Sequence, residues 1–238
     1  MKVLILGDGL LGKEISKQTG WDVISRKKDK FDITDKDTYY LMTEIFHGAA
    51  QVVNYDIIVN CIANTDTYSD NKELHWDVNY KGVSNLVDFC NRWKIKLVHI
   101  STEFVYANNI VPPTEIDLPL PDNTWYAYTK LLADEYIKLN SLDYLICREL
   151  HKPSPFPYDK VWDLILTSGD TVDNISKLII KLIKGNAYGI YNVGTGDKSL
   201  ANLAPDSEKI SPPDVNIPRD TRMNIEKLNK FLKINYEK

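Results

Sequence analysis

The stretch KVLILGDGLLGKEISKQT, residues 2–19, constrains the fold of this chain more than any other. KVLILG (2–7) is an apolar run of strand length, and LLGKEISKQT (10–19) has helical periodicity. Between them GDGLLG (7–12) fits the pattern GxGxxG. That pattern is weak alone and gains meaning here because it follows a strand and opens a helix. Gly7 permits the tight turn, Gly9 lets backbone approach a pyrophosphate, and Gly12 allows close packing of helix on strand. The helix N-terminus at Leu10, Leu11 and Gly12 offers free N–H groups and a positive dipole to phosphate. A plain strand-to-helix turn is the structural alternative to a dinucleotide site.

The alternation continues. DVIS (22–25) reads as a strand, and FDI (31–33) follows too soon for a crossover helix, so this region is abbreviated. DKDTYYLMTEIFHGA (35–49) is helical behind an Asp cap, and YDIIVNCIA (55–63) is a buried strand. A helix over 76–93, a strand KLVHIS (96–101), a helix over 125–140 and a strand YLICREL (144–150) follow. The pattern predicts an α/β fold, a Rossmann-type doubly wound parallel sheet with helices on both faces. Composition changes after residue 150, where HKPSPFPYDK is Pro-rich and irregular. A helix near 173–184, a strand GIYNVG (189–194), a Pro-rich loop (210–222) and a helix over 224–233 complete the chain. We expect an NAD(P)-binding domain over 1–150 and a small, shortened substrate lobe over 151–238, with some elements returning to the core.

Composition excludes several classes. The 238 residues are 43 % hydrophobic and 26 % charged, ordinary for a globular protein. A formal net charge of -4 gives no global case for binding nucleic acid. No apolar run approaches the ~20 residues of a membrane helix. MKVLILGDG is too short an apolar stretch for a signal peptide, so a cytoplasmic location is expected. Cys61, Cys90 and Cys147 are odd in number and form no CxxC pair. Buried free thiols are the simple reading, with Cys61 and Cys147 on strands. The four histidines show no metal-ligand spacing, and no metal site is expected.

In an open parallel sheet, ligands bind beyond the C-terminal ends of the strands. GDGLLG follows the first strand, SRKK (25–28) the second, CIANTD (61–66) the third and STEF (101–104) the fourth. Asp22 sits at the start of the second strand, away from the ribose position. Ser25, Arg26 and Lys27 suit a 2′-phosphate instead, Arg26 through its bidentate fork. This favours NADPH; NADH stays open, and a solvated basic turn is the plain alternative.

TWYAYTK (124–130) then opens a helix. Tyr126 and Lys130 are i and i+4 and share a face, whereas Tyr128 points elsewhere. A free phenol has a pKa near ~10, and moving it towards neutrality takes about 3 units, roughly 4 kcal/mol. A nearby ammonium in a partly desolvated cleft works in that direction. Such a phenol can protonate a carbonyl oxygen as hydride reaches carbon, with Thr102 hydrogen-bonding the same oxygen. YxxxK alone is a common accident of amphipathic helices.

ILGDGLLG, FDITD, DIIVNCIANT, VNYKGVSNLV, LVHISTEFVY and WYAYTKLLAD, in this order, resemble an extended short-chain dehydrogenase/reductase, more closely the dTDP-4-dehydrorhamnose reductase family of nucleotide-sugar enzymes. The resemblance covers residues 1–150 and continues more faintly in TVDNISKLI, GIYNVGTG and PRDTRMNIEKL. It implies a triad of Thr102, Tyr126 and Lys130, with Tyr126 the proton donor and Lys130 also holding the nicotinamide ribose. Asp32 and Ile33 would flank the adenine, and Ile62, Ala63 and Asn64 would line the middle of the cofactor. Glu103 stands where the family has Asp beside the substrate. The implied reaction is NADPH-dependent reduction of a 4-keto-6-deoxy nucleotide sugar, with hydride to C4. Frequent homodimers in the family make a homodimer the expected state. The segment between Arg148 and Val172 is shorter than in the family and Pro-rich.

Two other readings fit the same residues. One is a nucleotide-sugar epimerase or dehydratase on this fold, for which Glu103 is the only extra acid–base candidate. The other is a non-catalytic NADP-binding regulatory subunit, compatible with the shortened lobe. VPPTEIDLPLPDN (111–123) is either a lid with substrate contact or a rigid connection. The helices at 76–93 and 125–140 either pair across a two-fold axis or face solvent.

Overall fold

A computed structural model of the chain describes residues 1–39, 55–110, 112–213 and 217–237. The chain divides into two compact units, Met1–Ile100 with Thr124–Ile146, and Ser101–Asn123 with Cys147–Lys238.

Five strands belong wholly or partly to the first unit: β1 (Val3–Leu6), β2 (Asp22–Ile24), β3 (Ile57–Asn60), β4 (Lys96–Thr102) and β5 (Tyr144–Glu149). β1 pairs in parallel with both β2 and β3, and β3 pairs in parallel with β4. The sheet order is β10-β5-β4-β3-β1-β2, with β10 at Gly189–Val193. The core strands are unbroken apolar runs because both faces are covered: Leu4, Ile5, Leu6, Ile58, Val59, Leu97 and Val98 have no exposed surface. This is the parallel, Rossmann-type sheet that the alternation predicts. Parallel pairing puts the strand ends at one edge, where the Gly7 N–H donates to Ile24 O and the Cys61 N–H to Leu6 O, each at 2.9 Å.

Helix α1 (Leu10–Thr19) buries Leu11, Gly12 and Ile15 and ends at Gly20, whose φ of +72° is in the left-handed region. A single turn, α2 (Arg26–Asp29), follows β2. The helix expected over 35–49 lies mostly outside the described residues. The helix expected over 76–93 starts earlier and is not uniform. It runs through α3 (Lys72–His75), a π-helical turn (Trp76–Lys81) and α4 (Gly82–Trp93). Within the wider turn Asn79 is fully buried, and at its end Gly82 packs so closely on Ile33 that a Cβ would lie 2.8 Å from Ile33 Cγ2. α5 (Trp125–Asn140) begins where Thr124 Oγ1 accepts from the Ala127 N–H at 3.2 Å.

The strand expected over 55–63 stops at Asn60. Cys61 therefore sits in the loop beyond and is only half-buried, which corrects its reading as a buried strand thiol; Cys90 and Cys147 are buried, and all three are free.

In the second unit the stretch read as irregular contains very short strands. β6 (His151–Lys152) pairs in parallel with β9 (Asp170–Thr171). β7 (Lys160–Trp162) pairs in parallel with β12 (Glu208–Ile210), and β8 (Leu166–Thr167) pairs antiparallel with β11 (Lys198–Ser199). Val161, Ile165, Leu200, Ala201, Ala204 and Ile217 form a small core there. α6 (Val172–Lys184) buries one face through Ile175, Ile179, Leu182 and Ile183, and α7 (Glu226–Tyr236) closes the described chain. No helix among the described residues is long and apolar enough to cross a membrane.

Candidate active site

The glycine loop is shaped by its neighbours. Gly7 has φ +99°, and a Cβ there would meet Ile62 Cγ1 at 2.9 Å. A Cβ on Gly12 would lie 2.0 Å from Gly7 O, so α1 leaves β1 at a distance that no side chain permits. Gly9 differs: nothing lies within 4 Å of its Cβ position. Gly9 is also the N-cap of α1 and provides no side-chain cap, so the first-turn N–H groups of Leu10, Leu11 and Gly12 face that open space uncapped by a side chain. An open cradle at a helix N-terminus fits the diphosphate of a dinucleotide.

Beyond β2, the Ser25 side chain is buried and used locally. Ser25 Oγ accepts from the Lys28 N–H at 3.3 Å, and its own N–H donates to Asp29 Oδ2 at 2.7 Å. Arg26 is exposed and its Nε lies 3.2 Å from Asp32 Oδ2. Lys27 lies on the same exposed turn. Burial raises the Asp32 pKa, but hydrogen bonds from Thr34 and the Arg26 charge outweigh it and hold the carboxyl below its ordinary value. Ile33 is buried against Gly82. Asp22 is occupied by the Tyr55 hydroxyl, which donates to Oδ2 at 2.8 Å.

The loop after β3 is fixed from the π-helical turn. The Asn64 N–H donates to Asn79 Oδ1 at 2.8 Å, and Asn79 Nδ2 donates back to Asn64 O at 3.1 Å. Asn79 Nδ2 also reaches Thr129 Oγ1 on α5 at 3.3 Å. Nδ1 of the buried His75 accepts from the side-chain amides of Asn64 and Asn79, each at 3.3 Å. This network holds Ile62, Ala63 and Asn64 at the strand edge and ties them to the helix of Tyr126 and Lys130.

On α5 the two tyrosines separate as their spacing predicts. Tyr128 is 44 % exposed and lies edge-on to Trp125, with centroids 5.8 Å apart. Tyr126 is half-buried and packs edge-on against His75 at 6.3 Å. One turn later Lys130 is only 1 % exposed. Its Nζ donates to Ile100 O at 2.6 Å and lies 3.1 Å from His99 Nε2. On its other side His99 Nδ1 is 3.2 Å from Asn60 Nδ2, across the β3–β4 register that pairs these two residues. Burial, and then the neighbouring Lys130, hold the His99 pKa well below the ordinary imidazole value.

Thr102 and Glu103 belong to the second unit. Thr102 ends β4, is 4 % exposed, and its Oγ1 accepts from the Phe104 N–H at 3.2 Å. That leaves the hydroxyl proton as the group to donate. Glu103, expected beside a substrate, has no exposed surface. Thr167 donates to its two carboxylate oxygens at 3.0 and 2.8 Å, and Thr221 donates to Oε1. Burial pushes the Glu103 carboxyl up to about 8 against the pull of those hydroxyls.

Sequence reasoning missed Asn60, His75, Asn79 and His99. A faint signal existed: Asn60 closes the apolar run IIVN and His99 interrupts KLVHIS, and a polar residue inside a buried strand needs a partner.

Residues 1–150 match the family model described as RmlD substrate binding domain. The chain is 31 % identical over 153 residues to the spore coat polysaccharide biosynthesis protein SpsK of Bacillus subtilis (strain 168), covering 62 % of this chain and 52 % of that protein. It is 29 % identical over 154 residues to dTDP-4-dehydrorhamnose reductase of Mycolicibacterium smegmatis, covering 62 % of this chain and 44 % of that one. The chain thus spans about half the length of the curated relatives it matches. The crystal structure of dTDP-4-dehydrorhamnose reductase from Bacillus anthracis in complex with NADP superposes with a TM-score of 0.77 at 22 % identity, over 97 % of this chain and 93 % of that one, which shows a shared fold. On its sheet, its glycine loop and the family match to its first 150 residues, the chain belongs to the RmlD substrate binding domain family, among the extended short-chain dehydrogenase/reductases.

Proposed function

We propose that the chain is an NADPH-dependent reductase of a 4-keto-6-deoxy nucleotide sugar, of the dTDP-4-dehydrorhamnose reductase type. The observation that carries the reading is Lys130, buried to 1 % exposure one helical turn after Tyr126, in a unit whose Gly9 cradle is open. The names of the relatives and the NADP complex of the structural neighbour support the choice of substrate class and cofactor.

Uncapped N–H groups at the start of α1 bind the diphosphate, and Arg26 and Lys27, exposed beyond β2, face a 2′-phosphate. Ile62, Ala63 and Asn64 line the middle of the cofactor, and Asp32 and Ile33 flank the adenine. Lys130 holds the nicotinamide ribose and, as an ammonium, lowers the pKa of the Tyr126 phenol. When bound, the reduced nicotinamide supplies hydride to C4 of the sugar. Tyr126 gives its phenolic proton to the C4 oxygen, and Thr102 donates its hydroxyl proton to the same oxygen as charge develops. Glu103 enters through the turn it anchors after Thr102, since its own carboxylate is held by Thr167 and Thr221. The same reading takes the enzyme as a homodimer, which light scattering in solution checks.

NADPH absorbance is followed with a panel of 4-keto-6-deoxy nucleotide sugars, with NADH alongside. Tyr126→Phe is expected to lose on the order of 10²-fold or more in rate, while Tyr128→Phe stays near wild type. Tight NADPH binding without oxidation by any sugar would transfer the weight to the regulatory reading.

A further inference from the structure

The contacts of Lys130 raise a question of hydrogen-bond polarity. Asn60 Oδ1 accepts from the backbone N–H of Ile62 at 3.1 Å, and a backbone N–H can only donate. That fixes the orientation of the Asn60 amide, so its Nδ2 donor faces His99 Nδ1 at 3.2 Å. His99 Nδ1 must therefore be the acceptor. A neutral imidazole carries one proton, which then sits on Nε2. Nε2 lies 3.1 Å from Lys130 Nζ. An ammonium has three donors and no acceptor, so it cannot meet an N–H at that distance. A neutral amine can, because its lone pair accepts from Nε2–H while its own N–H donates to Ile100 O at 2.6 Å. The order of donors runs from the Ile62 backbone through Asn60 and His99 to Lys130.

We propose that His99, oriented by Asn60, is a positioning residue that presents an N–H to Lys130 and holds it as a neutral amine until a ligand draws Nζ away. The proposal rests on the reading of Lys130 as the ribose-binding lysine of a reductase, and it adds that the ammonium is a state reached on binding. When Nζ leaves Nε2–H for hydroxyl acceptors, it takes up one proton from solvent and becomes the cation that acts on Tyr126. His99 itself keeps its proton throughout and is not a relay.

Burial of all three groups agrees with this order: His99 has no exposed surface, and Asn60 and Lys130 are each 1 % exposed. Burial penalises the ammonium more than the amine. Other titratable groups face the pair from the elements around it. Tyr126 lies one turn before Lys130 on α5, and Asp134, also buried, lies one turn after it. His75 on α3 packs on Tyr126. Asp134 as a carboxylate favours the ammonium, so the Asn60–His99 pair opposes it, and the tautomer of His99 reports which arrangement holds.

The test is nitrogen NMR of the ligand-free full chain labelled at histidine, with no substrate or activity required. The His99 signals are assigned by their loss in His99→Gln or, should that variant not fold, by correlation to the assigned backbone. We expect Nε2 protonated and Nδ1 unprotonated, unchanged across about pH 5 to 8, where a free imidazole titrates. Asn60→Asp places an anionic oxygen on Nδ1, moves the proton there, and makes Nε2 an acceptor for an ammonium. In that variant the His99 tautomer is expected to invert. A proton on Nδ1 in the wild type would overturn the proposal, because Lys130 would then donate to Nε2 as an ammonium. Failure of the sugar assays with the expected tautomer present would overturn the reductase reading and leave the donor order standing.

Discussion

At Glu103 a carboxyl group without exposed surface is bonded by two threonine hydroxyls, and its pKa is pushed up to about 8. An ordinary Glu titrates near ~4.3. Between those values the folded chain keeps a proton that the unfolded chain has lost. Stability therefore falls as pH rises through this window, by about 1.4 kcal/mol per pH unit, and levels off above the folded value. Glu103→Gln keeps the shape and removes the titration. Urea unfolding at several pH values should show that slope flattened in the variant, with the gain largest on the alkaline side. An unchanged slope would mean that another group is responsible. Residues whose role is geometric were the legible ones. Gly7 and Gly12 follow from a strand that turns directly into a helix, and Tyr126 with Lys130 from i, i+4 spacing. His99 and Asn60 were illegible because their partnership depends on the β3–β4 register, which no local pattern states. The burial of Glu103 was equally hidden, since Thr167 and Thr221 lie far along the chain.

Among the elements, α5 carries both its own start signal and the proposed proton donor. Thr124 caps it, and Tyr126 lies in its first turn. Thr124→Ala removes the oxygen that accepts from the Ala127 N–H, at a cost of about 1 kcal/mol. For a chain of this size that corresponds to roughly 2–4 °C in melting temperature. Because the lost bond frays the turn of Tyr126, turnover should fall by more than nucleotide affinity, and steady-state kinetics beside a melting curve separate the two. The sequence reading placed α1 and α5 at their observed bounds because cap, periodicity and breaker all agree there. It read 76–93 as plain helix, since a π-helical turn has the same local composition as the α-helix around it. The strands β6 to β9 are two or three residues long, too short for any alternation to register.

The whole molecule is two units whose chain segments interleave. Composition marks a change after residue 150, but nothing in composition assigns Ser101–Asn123 to the same unit as Cys147–Lys238; that grouping comes from tertiary contacts. Asn192 on β10 is one joint of the second unit. Its Nδ2 donates to Pro113 O and Asn224 O, each at 3.0 Å, and its N–H donates to Glu115 Oε1 at 2.9 Å. Asn192→Leu strands two carbonyls and should cost about 2 to 4 kcal/mol. Proteolysis should then open near Pro113 and Asn224 before the first unit yields, which mass spectrometry of the early fragments would show.

The interleaving also dictates a schedule during synthesis. A ribosome makes the chain from its N-terminus, and units fold as their parts emerge. The first unit lacks α5 until residues past Thr124 are out. By then Ser101–Asn123 has been made and waits, because the rest of its unit begins only at Cys147. That waiting stretch includes Ile110, Ile116 and Leu118, apolar side chains that remain exposed even in the finished chain. A nascent chain paused near Ile146 presents them on an unfolded bridge between two folded flanks, the form of this protein most open to capture by a chaperone.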